Sequence, residues 1–122
     1  MIKDIEFNNI PIEIINNAKK ENISFMLNAK YYAYYFNNAI VGICAIIKNR
    51  KTILKSAFVL PEFRGRGIYK EMVDYRINQL EYPKDYPILA SAYFKAAKHL
   101  IKIGFKVIKN YKKGYLLRKD KL

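Results

Sequence analysis

The fold is decided by residues 59–69, which read Val-Leu-Pro-Glu-Phe-Arg-Gly-Arg-Gly-Ile-Tyr. An apolar run ends at the proline and a helical period begins at about Gly67, which predicts a strand, a glycine-rich turn and a helix N-terminus. Gly65 and Gly67 let the backbone approach a ligand closely and point successive N–H groups one way. The first helical turn adds unpaired N–H groups, and Arg64 and Arg66 add positive charge. The stretch therefore predicts a pyrophosphate-binding turn, although neither the Walker nor the Rossmann glycine spacing is present.

Strand and helix patterns flank this turn on both sides. Strands are predicted at residues 2–7, 29–36, 39–48, 52–60, 88–93, 105–110 and 114–119, and helices at 11–20, from about 67 onward and at 94–103. Asn37-Asn38 tolerates positive φ and predicts a tight hairpin. Strand 88–93 follows a helix, so it is expected to pair parallel to strand 52–60, which precedes that helix, by a right-handed crossover. We expect one α/β (α+β) domain over residues 1–122, with three layers, a mixed and mostly antiparallel sheet, and helices on both faces.

Composition narrows the class of protein. The chain has 122 residues, one Cys and one His, so neither an internal disulfide nor a zinc site is expected and no metal is assigned. Cys44 alternates with apolar neighbours and is predicted to be a buried thiol. The apolar runs are too short for a membrane helix, which indicates a soluble, cytoplasmic protein without a membrane partner. The net charge is +13, and residues 95–122 carry ten basic residues against Asp120 alone. This charge favours anionic partners, and compositional drift toward Lys is the alternative explanation.

Two landmarks resemble the GCN5-related N-acetyltransferase (GNAT) family. The family's cofactor signature is Arg/Gln-x-x-Gly-x-Gly/Ala after a strand that ends in Val-x-Pro, and it is matched at Arg64 and Gly67, with Val59 and Pro61 upstream. The second landmark, an Ala-rich helix that runs into Gly-Phe, is matched by residues 96–105. The landmark spacing and the element order agree with the family over roughly residues 28–119. The chain is therefore identified as similar to the GNAT acyltransferases.

The resemblance implies a cofactor, a site and a reaction. Acetyl-CoA, or another acyl-CoA, would bind as co-substrate between strands 52–60 and 88–93, which splay apart in this family. The implied cofactor-binding residues are Phe58, Val59, Leu60, Arg64, Gly65, Arg66, Gly67, Ile68 and Tyr69. Backbone N–H groups of residues 64–69 would hold the pyrophosphate, and the end of strand 52–60 would pair with the pantetheine amides. An amine would then attack the thioester directly, which makes the chain a small CoA-dependent N-acyltransferase.

The sequence departs from the family pattern at two positions. Tyr69 stands where the signature usually has Gly or Ala, and its ring either crowds the phosphates or turns inward with Val73. The tyrosine that often protonates the leaving thiolate is replaced by Leu100. Tyr93 and His99 are the candidate catalytic residues in its place, and packing for Tyr93 and a solvated helix face for His99 are the alternatives. No Glu on strand 52–60 is available as a base.

Other functions remain open at this point. Room for one helix before the first hairpin predicts an open acceptor side, which suits a protein or nucleic-acid acceptor. The net charge would suit a phage-type (Mom-like) enzyme that modifies nucleic acid on the same fold. The missing general acid would suit a non-catalytic basic module that binds nucleic acid or a protein partner. The acceptor and the oligomeric state are not determined by the sequence, and a dimer is plausible.

Overall fold

The computed structural model describes residues 1–121, whose strands form one seven-stranded sheet in the order β1-β2-β3-β4-β5-β7-β6. The strands are β1 Ile2–Ile5, β2 Lys30–Phe36, β3 Ala39–Lys48, β4 Thr52–Val59, β5 Ile88–Tyr93, β6 Lys106–Asn110 and β7 Gly114–Lys119. The helices are α1 Ile12–Lys20, α2 Ile68–Asn78 and α3 Phe94–Lys102, with 3-10 turns at Phe7–Asn9 and Pro61–Phe63. All strand pairs are antiparallel except β4 with β5. The predicted mixed, mostly antiparallel sheet is confirmed.

The first hairpin forms where the sequence predicts it. Asn37 and Asn38 have φ of 49° and 66°, which short polar side chains tolerate better than other non-glycine residues do. The two tyrosines that begin the aromatic run of β2 then point to opposite faces of the sheet. Tyr31 packs near Phe7 and Phe25, whereas Tyr32 meets Tyr75 of α2 edge to face at 5.4 Å between ring centroids. These two aromatic side chains are buried at 2% and 5% exposure, so the hairpin contributes to the core on both faces.

The sheet is the middle of three layers, because a separate hydrophobic cluster covers each of its faces. One cluster joins α2 and α3 to the sheet through Met72, Val73, Ala97 and Leu100. The other joins α1 to the opposite face through residues that include Ile14 and Ile15. The helices on both faces confirm the predicted three-layer arrangement. No helix within the described part of the chain is long and apolar enough to cross a membrane.

The two parallel strands separate soon after they begin to pair. Their register runs from Thr52 opposite Ile88 to Leu54 opposite Ala90 and ends there. Beyond this point β5 continues to pair with β7 along its whole length, while β4 continues to pair with β3. The two halves of the sheet therefore diverge and leave a gap between the distal parts of β4 and β5.

Gly114 is required for the close pairing of β5 with β7. It lies opposite Tyr93, and a Cβ at this position would overlap the carbonyl oxygen of Ala92 and lie 2.8 Å from the Cα of Tyr93. We expect Gly114→Ala to lower the free energy of unfolding by about 1–3 kcal/mol, because backbone atoms must move to relieve the overlap. Urea unfolding measures the change, with the exposed turn residue Lys112 replaced by Ala as the control. Equal stability of the two variants would contradict this account.

Candidate functional site

The gap between β4 and β5 opens into a cavity of about 690 Å³. The lining comes from both gap strands, from the turn that leads into α2 and α2 itself, from the first turns of α3, from residues 21–24 after α1, and from the turn between β6 and β7 with the start of β7. This volume lies within the range of about 300–1,000 Å³ that is usual for small-molecule and cofactor sites. The cavity is the candidate site, because it joins the predicted phosphate turn to the gap in the sheet.

A β-bulge shapes the β4 side of the cavity. The register between β3 and β4 shifts so that Ser56 and Ala57 together lie opposite Cys44. Ser56 has φ of 57°, and its hydroxyl donates a hydrogen bond to the carbonyl oxygen of Ser24 at 2.6 Å. A bulge releases backbone groups from the ladder and redirects side chains at the edge of a site. Nothing in the sequence signals it, because neither Ser nor Ala is typical of a left-handed position.

The glycine-rich turn presents unpaired backbone donors to this cavity. Gly65 and Gly67 have φ of 79° and 80°, and a Cβ built on either meets no atom within 4 Å. The first hydrogen bond of α2 runs from the N–H of Glu71 to the carbonyl of Gly67. Within residues 1–121, the six N–H groups of residues 65–70 have no hydrogen-bond partner, whereas that of Arg64 already bonds Pro61. The donors available for a phosphate are therefore those of residues 65–70 rather than 64–69.

The two arginine side chains of the turn have different surroundings. Arg64 donates from Nε to the carbonyl of Val59 at 2.9 Å and from one terminal nitrogen to both carboxylate oxygens of Glu21 at 2.8 Å. The Arg66 guanidinium lies over the rings of Phe36 and Phe63, 5.7 and 5.1 Å from their centroids. Of these two side chains only Arg64 lines the cavity. Its hydrogen bonds connect Glu21, the residue after α1, to the glycine-rich turn.

Most of the predicted cofactor residues come together at the cavity. Seven of the nine line it: Phe58, Val59, Arg64, Gly65, Gly67, Ile68 and Tyr69. Leu60 and Arg66 are not among the lining residues. The Tyr69 ring packs against the cluster that contains Val73, and burial raises the pKa of its hydroxyl while the nearby Arg76 opposes that rise. The inward orientation predicted as one alternative for Tyr69 is the one observed.

Both candidate catalytic side chains line the cavity. Tyr93 is 51% exposed, and its hydroxyl donates to the carbonyl oxygen of Glu21 at 3.2 Å. Tyr93 is therefore not a core residue, and the choice between a packing role and a catalytic role for it stays a prediction. The Nε2 atom of His99 lies 2.8 Å from the Oδ1 atom of Asp74, and the histidine side chain is only 14% exposed. The solvated helix face proposed as the alternative for His99 is wrong, because α2 packs beside it.

Arg76 is a buried cavity residue that the sequence analysis missed. It is 1% exposed and donates hydrogen bonds to the carbonyl oxygens of Met72, Ala45 and Lys55. The guanidinium thus links α2 to β3 and β4 beside the point where β4 bulges. Its position in α2, one residue before the apolar Ile77, gave no sign that it would be buried.

The segment after α1 connects the two strands that border the gap. One helix precedes β2, as expected, but the segment that follows it crosses the gap. Its residue Glu21 is bonded to Tyr93 on β5, and its residue Ser24 is bonded to Ser56 on β4. Residues 21–24 therefore cover part of the gap, and the expectation of an open acceptor side stays a prediction.

A splayed parallel strand pair beside a glycine-rich helix N-terminus defines the architecture of the acyl-CoA N-acyltransferases. The model of the acetyltransferase (GNAT) domain family matches residues 6–115. The chain belongs to this family, and the predicted acyltransferase class is confirmed at that level. A comparison with curated proteins yields no match.

Solved structures of other acetyltransferases share the fold over nearly the whole chain. An IAA acetyltransferase from Bacillus cereus has 12% identity and a TM-score of 0.76, with 98% of each chain covered. A GNAT acetyltransferase from Elizabethkingia anophelis, solved with acetyl-CoA bound, has 15% identity, a TM-score of 0.70 and coverage of 98% of this chain and 97% of its own. A GNAT acetyltransferase from Staphylococcus aureus has 21% identity, a TM-score of 0.70 and coverage of 98% and 99%. At these identities the similarity shows the fold.

Proposed function

We propose that this protein transfers an acetyl group from acetyl-CoA to an amine. The observation that carries the proposal is the run of N–H groups at residues 65–70, unpaired within the described chain, in a turn that borders the cavity at the gap between β4 and β5. Such a run at a helix N-terminus binds the pyrophosphate of a nucleotide cofactor. The family relative from Elizabethkingia anophelis, which has the same fold, binds acetyl-CoA. We propose that this chain uses the same co-substrate.

The gap itself accounts for the rest of the cofactor site. Within the described chain, β4 pairs with no strand on its β5 side beyond Leu54. The Val59 carbonyl accepts a hydrogen bond from Arg64, and we propose that the other backbone groups of residues 57–59 on that edge bind the amide groups of the pantetheine arm, much as an added strand would. With the pyrophosphate on the turn, an arm that follows this edge carries the thioester toward the bulge at Ser56 and Ala57.

The chemistry proposed is direct attack without an acyl-enzyme. The neutral amine attacks the thioester carbonyl carbon, the C–S bond breaks, the amine loses a proton to water, and the CoA thiolate gains one. Backbone N–H groups released by the bulge stabilise the oxyanion, and the Tyr93 hydroxyl supplies the proton to the thiolate. The chain offers no suitable thiol nucleophile among its described residues, because Cys44 is fully buried and burial raises its pKa.

Acetyl-CoA binding tests the proposal before any acceptor is known. We expect titration calorimetry to show one site per chain for acetyl-CoA and for CoA. Pantetheine, which lacks the pyrophosphate, should bind much more weakly. A panel of amines is then added with acetyl-CoA, and the released thiol is measured together with a mass increase of the amine. Absence of acetyl-CoA binding by the folded protein would contradict the proposal. No specific observation favours the nucleic-acid-modifying or the non-catalytic alternative.

A further inference from the structure

The charges that line the cavity are almost all positive. The basic residues are Lys55, Arg64, Lys70, Arg76, Lys95 and Lys113, and Glu21 is the only carboxylate among the described lining residues. Both oxygens of Glu21 accept hydrogen bonds from Arg64 at 2.8 Å. The described part of the cavity therefore offers no free carboxylate to attract an ammonium group or to take its proton.

Lys55 differs from the other cations by its place in the sheet. It lies in the middle of β4, next to the bulge, and it is partly buried. Within the described chain its ammonium group forms neither an ion pair nor a hydrogen bond, whereas the nearby Arg64 and Arg76 are both held by hydrogen bonds. An ammonium group that has no partner in the free protein is available to an anionic ligand.

The side of the sheet that Lys55 faces is not the side of the phosphate turn. Leu54 belongs to the cluster under α2 and α3, so the next residue along the strand points to the opposite face. On that face Ser56 is bonded to Ser24, and Tyr93 is bonded to Glu21. The turn that would hold the pyrophosphate begins α2 on the other face. The Lys55 charge is therefore directed to the acceptor side of the thioester rather than to the cofactor phosphates.

We infer that Lys55 binds an anionic group of the acceptor, which is then an amine that carries a carboxylate or a phosphate close to the nitrogen that is acylated. This inference rests on the proposed acetyl transfer. A charge-assisted hydrogen bond from the ammonium group orients such an acceptor at the gap. The same positive charge disfavours the protonated form of a nearby amine, so it lowers the amine pKa and raises the fraction of neutral nucleophile. Lys55 thereby raises the fraction of neutral amine, which is the outcome that a carboxylate base would achieve by removing the proton.

Matched pairs of amines test the inference by binding. Titration calorimetry on the CoA-saturated protein compares phenylalanine with phenylalaninamide, and phosphoethanolamine with ethanolamine. We expect the anionic member of one pair to bind about 10- to 100-fold more tightly, the effect of one hydrogen bond between charged groups. The pair that shows the preference distinguishes a carboxylate from a phosphate. Lys55→Met is expected to remove the preference, Lys55→Arg to keep most of it, and Lys51→Gln, at an exposed lysine outside the cavity, to leave it unchanged.

The outcomes separate this inference from the proposed function. If CoA binds but neither pair shows a preference for its anionic member, or if the preference persists in Lys55→Met, the inference is overturned. Loss of CoA affinity in Lys55→Met would also overturn it, because Lys55 would then serve the cofactor. Failure of the unmodified protein to bind CoA would contradict the proposed function itself, and the same titration reports it first.

Discussion

Replacement of Gly67 by Val is expected to lower the affinity for acetyl-CoA by a factor on the order of 10² or more, since hydrogen bonds to a charged group contribute about 1.5–3 kcal/mol each. Gly67 has φ of 80° and directly precedes α2, and no atom lies within 4 Å of a Cβ built there. A branched side chain enters the open space in front of the turn and shifts the backbone whose N–H groups bind the pyrophosphate. Calorimetric titration with acetyl-CoA measures the loss.

A matched control separates loss of the site from loss of the fold. Gly104 also has a positive φ, 107°, but it follows α3 and lies outside the cavity lining. We expect Gly104→Val to be destabilised by about 1–2 kcal/mol, the cost of a left-handed non-glycine residue, with acetyl-CoA affinity retained. Gly67→Asn serves where the Val variant does not fold, because Asn tolerates this backbone conformation. Parent-like acetyl-CoA affinity in a folded Gly67→Val variant would show that the pyrophosphate binds elsewhere.

Replacement of Tyr93 by Phe is expected to lower kcat by a factor on the order of 10²–10⁴, the usual contribution of a general acid. The change removes only the hydroxyl of a half-exposed residue that lines the cavity at the end of β5. The same hydroxyl also bonds the carbonyl of Glu21, so a rate loss by itself would not distinguish catalysis from positioning. The pH profile distinguishes catalysis from positioning. A general acid produces a fall in kcat at alkaline pH, and that fall should be absent in Tyr93→Phe.

Comparison with two other cavity residues makes the assignment specific. We expect Tyr69→Phe to lower kcat much less, because the Tyr69 ring packs against the hydrophobic cluster beneath α2 rather than along β5. His99→Gln tests the second candidate, whose ring is held by Asp74 at 2.8 Å. If His99→Gln rather than Tyr93→Phe shows the large loss and the altered pH profile, the general acid is His99. If neither does, water protonates the thiolate.

Features that depend on near neighbours in the chain were predictable from the sequence. Hydrophobic periodicity predicted the seven strands and three helices, because apolar residues recur every two positions in strands and about every 3.6 in helices. The hairpin at Asn37-Asn38 and the turn at Gly65 and Gly67 followed from the few residue types that accept positive φ. The parallel pairing of β4 with β5 followed from the helical crossover that connects them, and the two spaced landmarks led to the family.

The composition of the site depended on tertiary structure. Glu21 meets Arg64 across 43 positions and Tyr93 across 72, and His99 meets Asp74 across 25, because α1 and α2 dock where the sheet directs them. The same docking places residues 21–24 across the gap and buries Arg76. The bulge at Ser56 has no sequence signature, yet it decides how the strand passes the gap beside Lys55. Local sterics and hydrophobic periodicity determine which helices and strands form. Contacts between residues far apart in the chain determine which charged side chains line the same cavity.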